Sequence, residues 1–471
     1  MPAGWEKEGF LTVEDGRLHI DGVDASQLAR EHSTPLFVFS EKRIRRNIAR
    51  ITRTAELIDR PLKVCYAAKA MSTMGILTLM RDIGIDIEVN SGGELWKALE
   101  AGFLGEQIIF NGTSKEAWEI ELAISNRIYA IQVDSLYELS LISKTAERLG
   151  KRANVSLRLV PEIETKTHSG LQTALLTSKF GMMPDEALKA STEYKDSQHI
   201  DLCGIHLHIG SQNPDPSVYS QACEMLFETL VRIFETSGVR LKHINIGGGF
   251  PVDYLPHTSV DLPSDRTVML TADFDPAQAL ADAWSLVERS ASKIGAEHLL
   301  TEITLLTEPG RSIIADTGAC LTTTRNHKER PTSETDDYRP LTTDHWLLTD
   351  AGFNILLSME TYKWYYHLIS ADRAGEEHDF PYKIAGPLCD GGDVYFDVEG
   401  EERLPDHRML PRDVQPGEVL ALLNCGAYSL AQASQYNARF LPPVVLIRED
   451  GNPDVIRRRD TFTDLVNNDV Y

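Results

Sequence analysis

From about residue 35 to residue 310, short apolar runs alternate with stretches whose apolar positions recur at helical spacing. That alternation is the signature of a parallel α/β fold. The runs expected as strands are 62–68, 86–90, 108–111, 130–133, 155–160, 204–209, 243–246 and 305–308. Helical patterns such as 92–101 and 136–149 separate most of them. Eight strands with intervening helices predict a (β/α)8 TIM barrel, whose chemistry sits at the carboxyl ends of its strands. Residues 35–39 are a further strand candidate. After Arg311 the character changes: the polar stretch 325–345 predicts an exposed loop, and short apolar runs such as 419–423 and 443–447 predict a β-rich domain. The expected organisation is a segment 1–35 packing with the C-terminal domain, a barrel over 36–310 and a β-domain over 311–471.

A chain of 471 residues has room for these parts. At 42% hydrophobic and 25% charged residues, the composition is that of an ordinary soluble protein. A net charge of −23 argues against sequence-independent binding to nucleic acid or to anionic membrane surfaces. No apolar run approaches the length of a membrane span, and residues 1–10 lack the apolar core of a signal peptide. Cysteines 65, 203, 223, 320, 389 and 425 are scattered without metal-type spacing, so free thiols in the cytoplasm are expected.

Lys69 follows an apolar run broken only by Lys63. An isolated ammonium at the end of a buried strand is costly, so it is neutralised, ion-paired or covalently consumed. A lysine whose pKa is lowered by burial suits a Schiff base with an aldehyde, whereas an ion pair or a snorkelling side chain is the plainer alternative. His206 and His208 share one strand face by the two-residue period. Two such histidines can bind a metal, but no cysteine or acidic cluster at ligand spacing accompanies them, and no metal is expected. His208 can instead stack on an aromatic cofactor, while His206 reads as a satisfied polar core residue. Gly247, Gly248 and Gly249 can bring backbone N–H groups around a phosphate, or serve a turn. Glu308 can hydrogen-bond a protonated heterocyclic nitrogen, or pair with Arg311. A lysine, a phosphate cradle, a stacking ring and a carboxylate together meet the needs of pyridoxal 5'-phosphate.

The motifs extend along nearly the whole chain. They are Tyr66-Ala67-Ala68-Lys69-Ala70, Glu88 to Glu94, Ser178-Lys179-Phe180-Gly181, His206 to Gln212, Gly247 to Pro251, Glu308 to Arg311, Gly386 to Asp390, Gly426-Ala427-Tyr428 and Tyr436-Asn437. In this order they resemble the fold-type III pyridoxal-phosphate decarboxylases, the diaminopimelate, ornithine and arginine group, and the diaminopimelate branch most. The resemblance implies an alanine racemase-like barrel followed by a β-domain, and a homodimer with shared active sites. It implies that Cys389 and Asp390 reach the partner's cofactor, and that Ser211, Gly248, Gly310, Arg311 and Tyr428 hold phosphate or substrate. From the residue alone, Cys389 would be a buried small apolar side chain; the family makes it the proton donor to Cα. Decarboxylation leaves an electron pair on Cα, which a protonated ring nitrogen delocalises. Glu308 favours that protonated ring, where alanine racemases place an arginine.

Two departures bear on the substrate. Asp350-Ala351-Gly352-Phe353-Asn354 is followed by Ile355 to Tyr362 without the family's Arg-Pro pair, whose guanidinium binds a distal carboxylate. Cys389-Asp390-Gly391-Gly392-Asp393 stands for the usual Cys-Glu-Ser-Gly-Asp, and together with the C-terminal run from Ile456 it is similar to a branch that includes D-ornithine/D-lysine decarboxylases. The expected substrate is therefore a diamino or related amino acid, D-ornithine- or D-lysine-like, with Glu360 and Asp390 meeting its distal ammonium; the plainer alternative for Glu360 is a merely solvated carboxylate. The alternatives are diaminopimelate decarboxylation in lysine biosynthesis, a secondary-metabolite decarboxylase, or a non-catalytic cofactor-binding regulator. Intact Lys69, Glu308 and Cys389 speak against the last.

Overall fold

The computed structural model describes residues 4–7, 9–160, 178–255, 260, 262–331 and 343–470. Eight parallel strands close into a barrel: β1 (Leu62–Ala67), β2 (Asp86–Val89), β3 (Ile108–Phe110), β4 (Ala130–Val133), β5 (Ala153–Arg158), β6 (Ile200–His206), β7 (His243–Asn245) and β8 (Thr304–Thr307). The seam is made by β8 and β1, which pair Leu305 with Leu62 and Thr307 with Val64. Each strand is followed by helix as the alternation predicts. Gly92–Glu100 begins at Ser91, whose side chain accepts from the Glu94 N–H, and Leu136–Leu149 runs from a Ser135 cap to a left-handed Gly150.

Several ladders stop one residue short of the expected ends. Ala68, Asn90, Asn111 and Glu308 lie just past the last paired residue. Ala68, Asn111 and Glu308 are nonetheless buried, and apolar patterning reports burial rather than backbone pairing. β5 and β6 instead begin earlier than expected and end earlier, so Val160 and His208 fall in the following loops. A shift of register between Leu202 and Gly204 bends β6 at this place.

The compact unit holding the barrel comprises residues 46–251 and 273–313, and a second unit comprises 1–45, 252–272 and 314–471. The second is built on a mixed sheet around the long strand Gly318–Pro331, which pairs with Leu36–Ser40, Val419–Leu422 and Thr343–Thr349. Leu18, Ile20, Leu28, Leu36, Val38, Leu321, Val445 and Ile447 share its core. The loop expected over 325–345 is corrected here. Residues up to Pro331, and from Thr343 on, form an antiparallel ladder, and 332–342 lie outside the described residues. Residues 325–331 are exposed, so their composition reads as loop although their backbones pair. Among the described residues, no helix is long and apolar enough to cross a membrane.

Candidate active site

β1 ends in a 3-10 turn, Ala68–Ala70. Ala68 and Ala70 are buried, but Lys69 between them is exposed. The expectation of a buried ammonium is thus corrected: the strand is buried, and the turn lifts its lysine out of the ladder. The turn is anchored on both sides. Ala67 N–H donates to the Pro309 carbonyl at 3.0 Å, Met71 N–H to Ala68 at 3.1 Å, and the Tyr66 hydroxyl to Met71 at 2.9 Å. Gly310 packs on this turn, and a Cβ there would lie 3.1 Å from the methyls of both Ala67 and Ala70.

Beyond β8, Glu308 is buried in a polar network. Its Oε1 accepts from Asn245 Nδ2 at 2.7 Å and its Oε2 from Asn111 Nδ2 at 3.0 Å. The same Asn111 amide donates to Glu88 Oε1 at 2.8 Å. His206 Nε2 lies 3.5 Å from Glu308 Oε2, yet neither ring nitrogen has a hydrogen-bond partner among the described residues. His206 is therefore buried but not satisfied, which corrects its reading as an ordinary core residue. Burial pushes the Glu88 carboxyl well up, with the charge of Glu308 adding to it and Lys69 opposing. Burial works the same way on Glu308, but His206, Asn245 and Lys69 outweigh it and hold that carboxyl down. Burial also lowers His206 itself. Near neutral pH the ring is uncharged, so we assign the hold on Glu308 chiefly to the two amides and the Lys69 ammonium.

The loops after β6 and β7 interlock beside this network. His208 is half-buried, and the surrounding protein pushes its pKa well below 6.5. Its Nδ1 accepts from the Gly248 N–H at 3.2 Å, which leaves the other ring nitrogen protonated in the neutral ring. Gly247 N–H donates to Asn245 Oδ1 at 2.9 Å. Two of the three glycine amides expected around a phosphate thus already have protein acceptors. Gly248 packs against the Glu308 carbonyl, and Gly249, at φ +99°, against that of Gly210. Arg311, at the start of the helix Arg311–Ile314, donates from Nε to Ser211 Oγ at 3.0 Å.

In the second unit, Cys389 is exposed, which corrects its reading as a buried apolar residue. Its N–H donates to Asn437 Oδ1 at 2.7 Å. Asp390 accepts from the Tyr436 hydroxyl at 3.2 Å and from Gly392 N–H at 2.9 Å. A Cβ on Gly392 would lie 3.4 Å from Asp390 Oδ1 and 3.5 Å from Glu360 Oε1. Two carboxylates thus flank one glycine beside Cys389, while Glu360 Oε2 is paired with Lys363 at 3.0 Å. The loop is clamped by buried Asp393, which accepts from Phe353 N–H at 2.8 Å and Leu388 N–H at 2.7 Å. Ser358 Oγ donates to the Tyr428 carbonyl at 3.1 Å.

The barrel unit therefore gathers Lys69, His208, Ser211, Gly247 to Gly249, Glu308, Gly310 and Arg311 at its strand ends. The second unit gathers Glu360, Cys389 and Asp390 around Gly392. Sequence reasoning gave no role to Glu88, Asn111, Asn245 or Asp393. Their runs, Asp86-Ile87-Glu88-Val89-Asn90 and His243-Ile244-Asn245-Ile246, alternate polar and apolar residues, so Glu88 and Asn245 read as the polar face of an ordinary strand although both are buried.

The pyridoxal-binding domain model of the pyridoxal-dependent decarboxylases matches residues 41–315, and the C-terminal sheet domain model of the same enzymes matches 218–426. The chain belongs to the pyridoxal-dependent decarboxylases. Diaminopimelate decarboxylase of Methanocaldococcus jannaschii is 33% identical over 98% of this chain and 96% of its own length. That of Bacillus subtilis is 32% identical over 97% and 96%. The crystal structure of the M. jannaschii enzyme in complex with L-lysine superposes with a TM-score of 0.82, at 32% identity, covering 98% of each chain. This decarboxylase is accordingly a carboxy-lyase that uses pyridoxal phosphate and acts on an amino acid.

Proposed function

We propose that this decarboxylase removes the α-carboxylate of a diamino acid whose distal group is an ammonium, D-ornithine or D-lysine first. The observation that carries this reading is the pair Glu360 and Asp390 around Gly392, next to Cys389. Opposite charge, not a guanidinium, awaits the far end of the substrate there. Placing a distal carboxylate against two acidic groups costs several-fold in affinity or more. The D configuration rests on the similarity of the run from Cys389 to Asp393 to the D-ornithine/D-lysine branch. The contrary reading, meso-diaminopimelate, is favoured by the named relatives.

The residues present fit pyridoxal phosphate. Glu88 Oε2 and both His206 nitrogens are buried polar atoms without a hydrogen-bond partner among the described residues, and Gly248 leaves no room for a side chain beside Glu308. Lys69 would bind the aldehyde, Glu308 the ring nitrogen and His208 the ring face. Ser211, the glycines 247 to 249, Gly310, Arg311 and Tyr428 would hold phosphate or the substrate's α-carboxylate. When bound, the cofactor accepts the electron pair released as carbon dioxide leaves. Glu308 keeps a proton at the ring nitrogen, and the Cys389 thiol delivers one to Cα. Cys389 and Asp390 serve the site of a partner subunit in a homodimer.

Comparing kcat/KM for D- and L-lysine, D- and L-ornithine and meso-diaminopimelate tests the assignment. A preference for a diamino monocarboxylate is expected; a clear preference for diaminopimelate overturns it.

A further inference from the structure

Glu88 and Glu308 are both buried and are bridged by one amide, Asn111 Nδ2, at 2.8 and 3.0 Å. Two carboxylates this close in a water-poor site cannot both ionise cheaply, so the pair retains a proton. Their surroundings differ. Both oxygens of Glu308 accept an amide N–H, and His206 stands 3.5 Å from one of them. Glu88 has Asn111 alone as a hydrogen-bond donor, and its Oε2 is buried without a partner among the described residues. An ionised oxygen left bare in that position is far costlier than a neutral hydroxyl. The charged and titratable groups facing the pair are Lys69, Glu94, Arg158, His206, His208 and His243, with the Cys65 thiol nearby. Lys69 and Arg158 favour ionisation of Glu88, while Glu94 and Glu308 itself oppose it.

We propose that Glu88 and Glu308 form one unit with a single shared proton resting on Glu88, so that Glu88 is a positioning residue that leaves Glu308, of the two, as the negative charge facing the cofactor ring. Asn111 carries the coupling because it donates one N–H to each carboxyl. An ionised Glu88 would add a second negative charge and draw Lys69 toward itself. A neutral Glu88 holds Asn111 in place without competing for that lysine. The effect on the cofactor rests on the pyridoxal-phosphate reading; the proton count does not.

Infrared spectroscopy of the purified holoenzyme, with 13C-labelled glutamate to assign the bands, tests the proton count. A protonated glutamic acid carbonyl band is expected at mildly acidic to neutral pH and should vanish in Glu88→Gln; its absence from the wild type overturns the proposal. In Glu308→Gln the repelling charge is gone, so the pH at which the band bleaches should fall by about one unit or more. An unmoved midpoint overturns the coupling, and this arm stands even where Glu88→Gln does not fold. With cofactor bound, Glu88→Gln should leave the pH midpoint of the visible absorption change within about 0.3 unit. A downward shift of about one unit means that a negative charge was removed, and overturns the assignment. Failure to find the cofactor on Lys69 would instead sink the cofactor reading and leave the infrared result standing.

Discussion

At the scale of single residues, the site depends on a few side chains that break the local pattern. Lys69 is polar and exposed between two buried alanines. Borohydride reduction of the holoenzyme followed by peptide mapping should place the pyridoxyl group on Lys69; an adduct on another lysine excludes it. The lysine was legible because its run is short and otherwise apolar, although burial of the strand did not extend to the side chain. Glu308 was legible for the same reason. Its partners Asn111 and Asn245 were not, because an asparagine at a strand end reads equally well as a turn former. Glu360 is half-exposed and paired with Lys363, so its contribution to a distal ammonium is screened. Glu360→Gln should raise KM for the preferred diamino substrate by about threefold, the size of one screened ion pair, while kcat changes little.

At the scale of elements, the loop that carries Cys389 and Asp390 depends on Asp393. Burial pushes that carboxyl up to about 6, with Asp390 adding to it, against the two backbone N–H groups it accepts. The folded value lies above the unfolded one. The group's contribution to stability is therefore fully present below the unfolded pKa and is lost as pH rises through about 6. Acidification from neutral pH costs no stability through Asp393, but it turns one acceptor oxygen into a hydroxyl and loosens the grip on Phe353 or Leu388. Activity should fall as pH drops through about 6 while this group does not lower Tm. Asp393→Asn should lack that limb of the pH profile and show reduced kcat throughout, with a loss of stability of about 1–3 kcal/mol from the orphaned N–H. A wild-type limb retained in the variant would assign it to another group. The barrel strands were legible because parallel strands are apolar on both faces. The ladder that pairs residues 326–331 with 343–348 was not, because pairing leaves no trace in the exposed, polar composition of 325–331.

At the scale of the whole molecule, the candidate groups fall in two units of one chain, and the family resemblance assigns Cys389 to the partner's site. Mixing inactive Lys69→Ala with inactive Cys389→Ala subunits should restore activity in heterodimers. With exchange verified by mass spectrometry, no recovery means that sites are not shared. The barrel seam has a further consequence for the life of the protein. Lys69 stands at the end of β1, but the residues that pack its turn, Pro309 and Gly310, follow β8, the last barrel strand to be synthesised. A nascent chain displays its lysine long before it can fix the lysine's position. On the proposed attachment at Lys69, ordered cofactor binding would await closure of the cylinder, and contacts so distant along the chain form slowly. On the same reading, colour from the ordered cofactor during refolding would report a finished barrel, and pyridoxal phosphate would mark completed assembly.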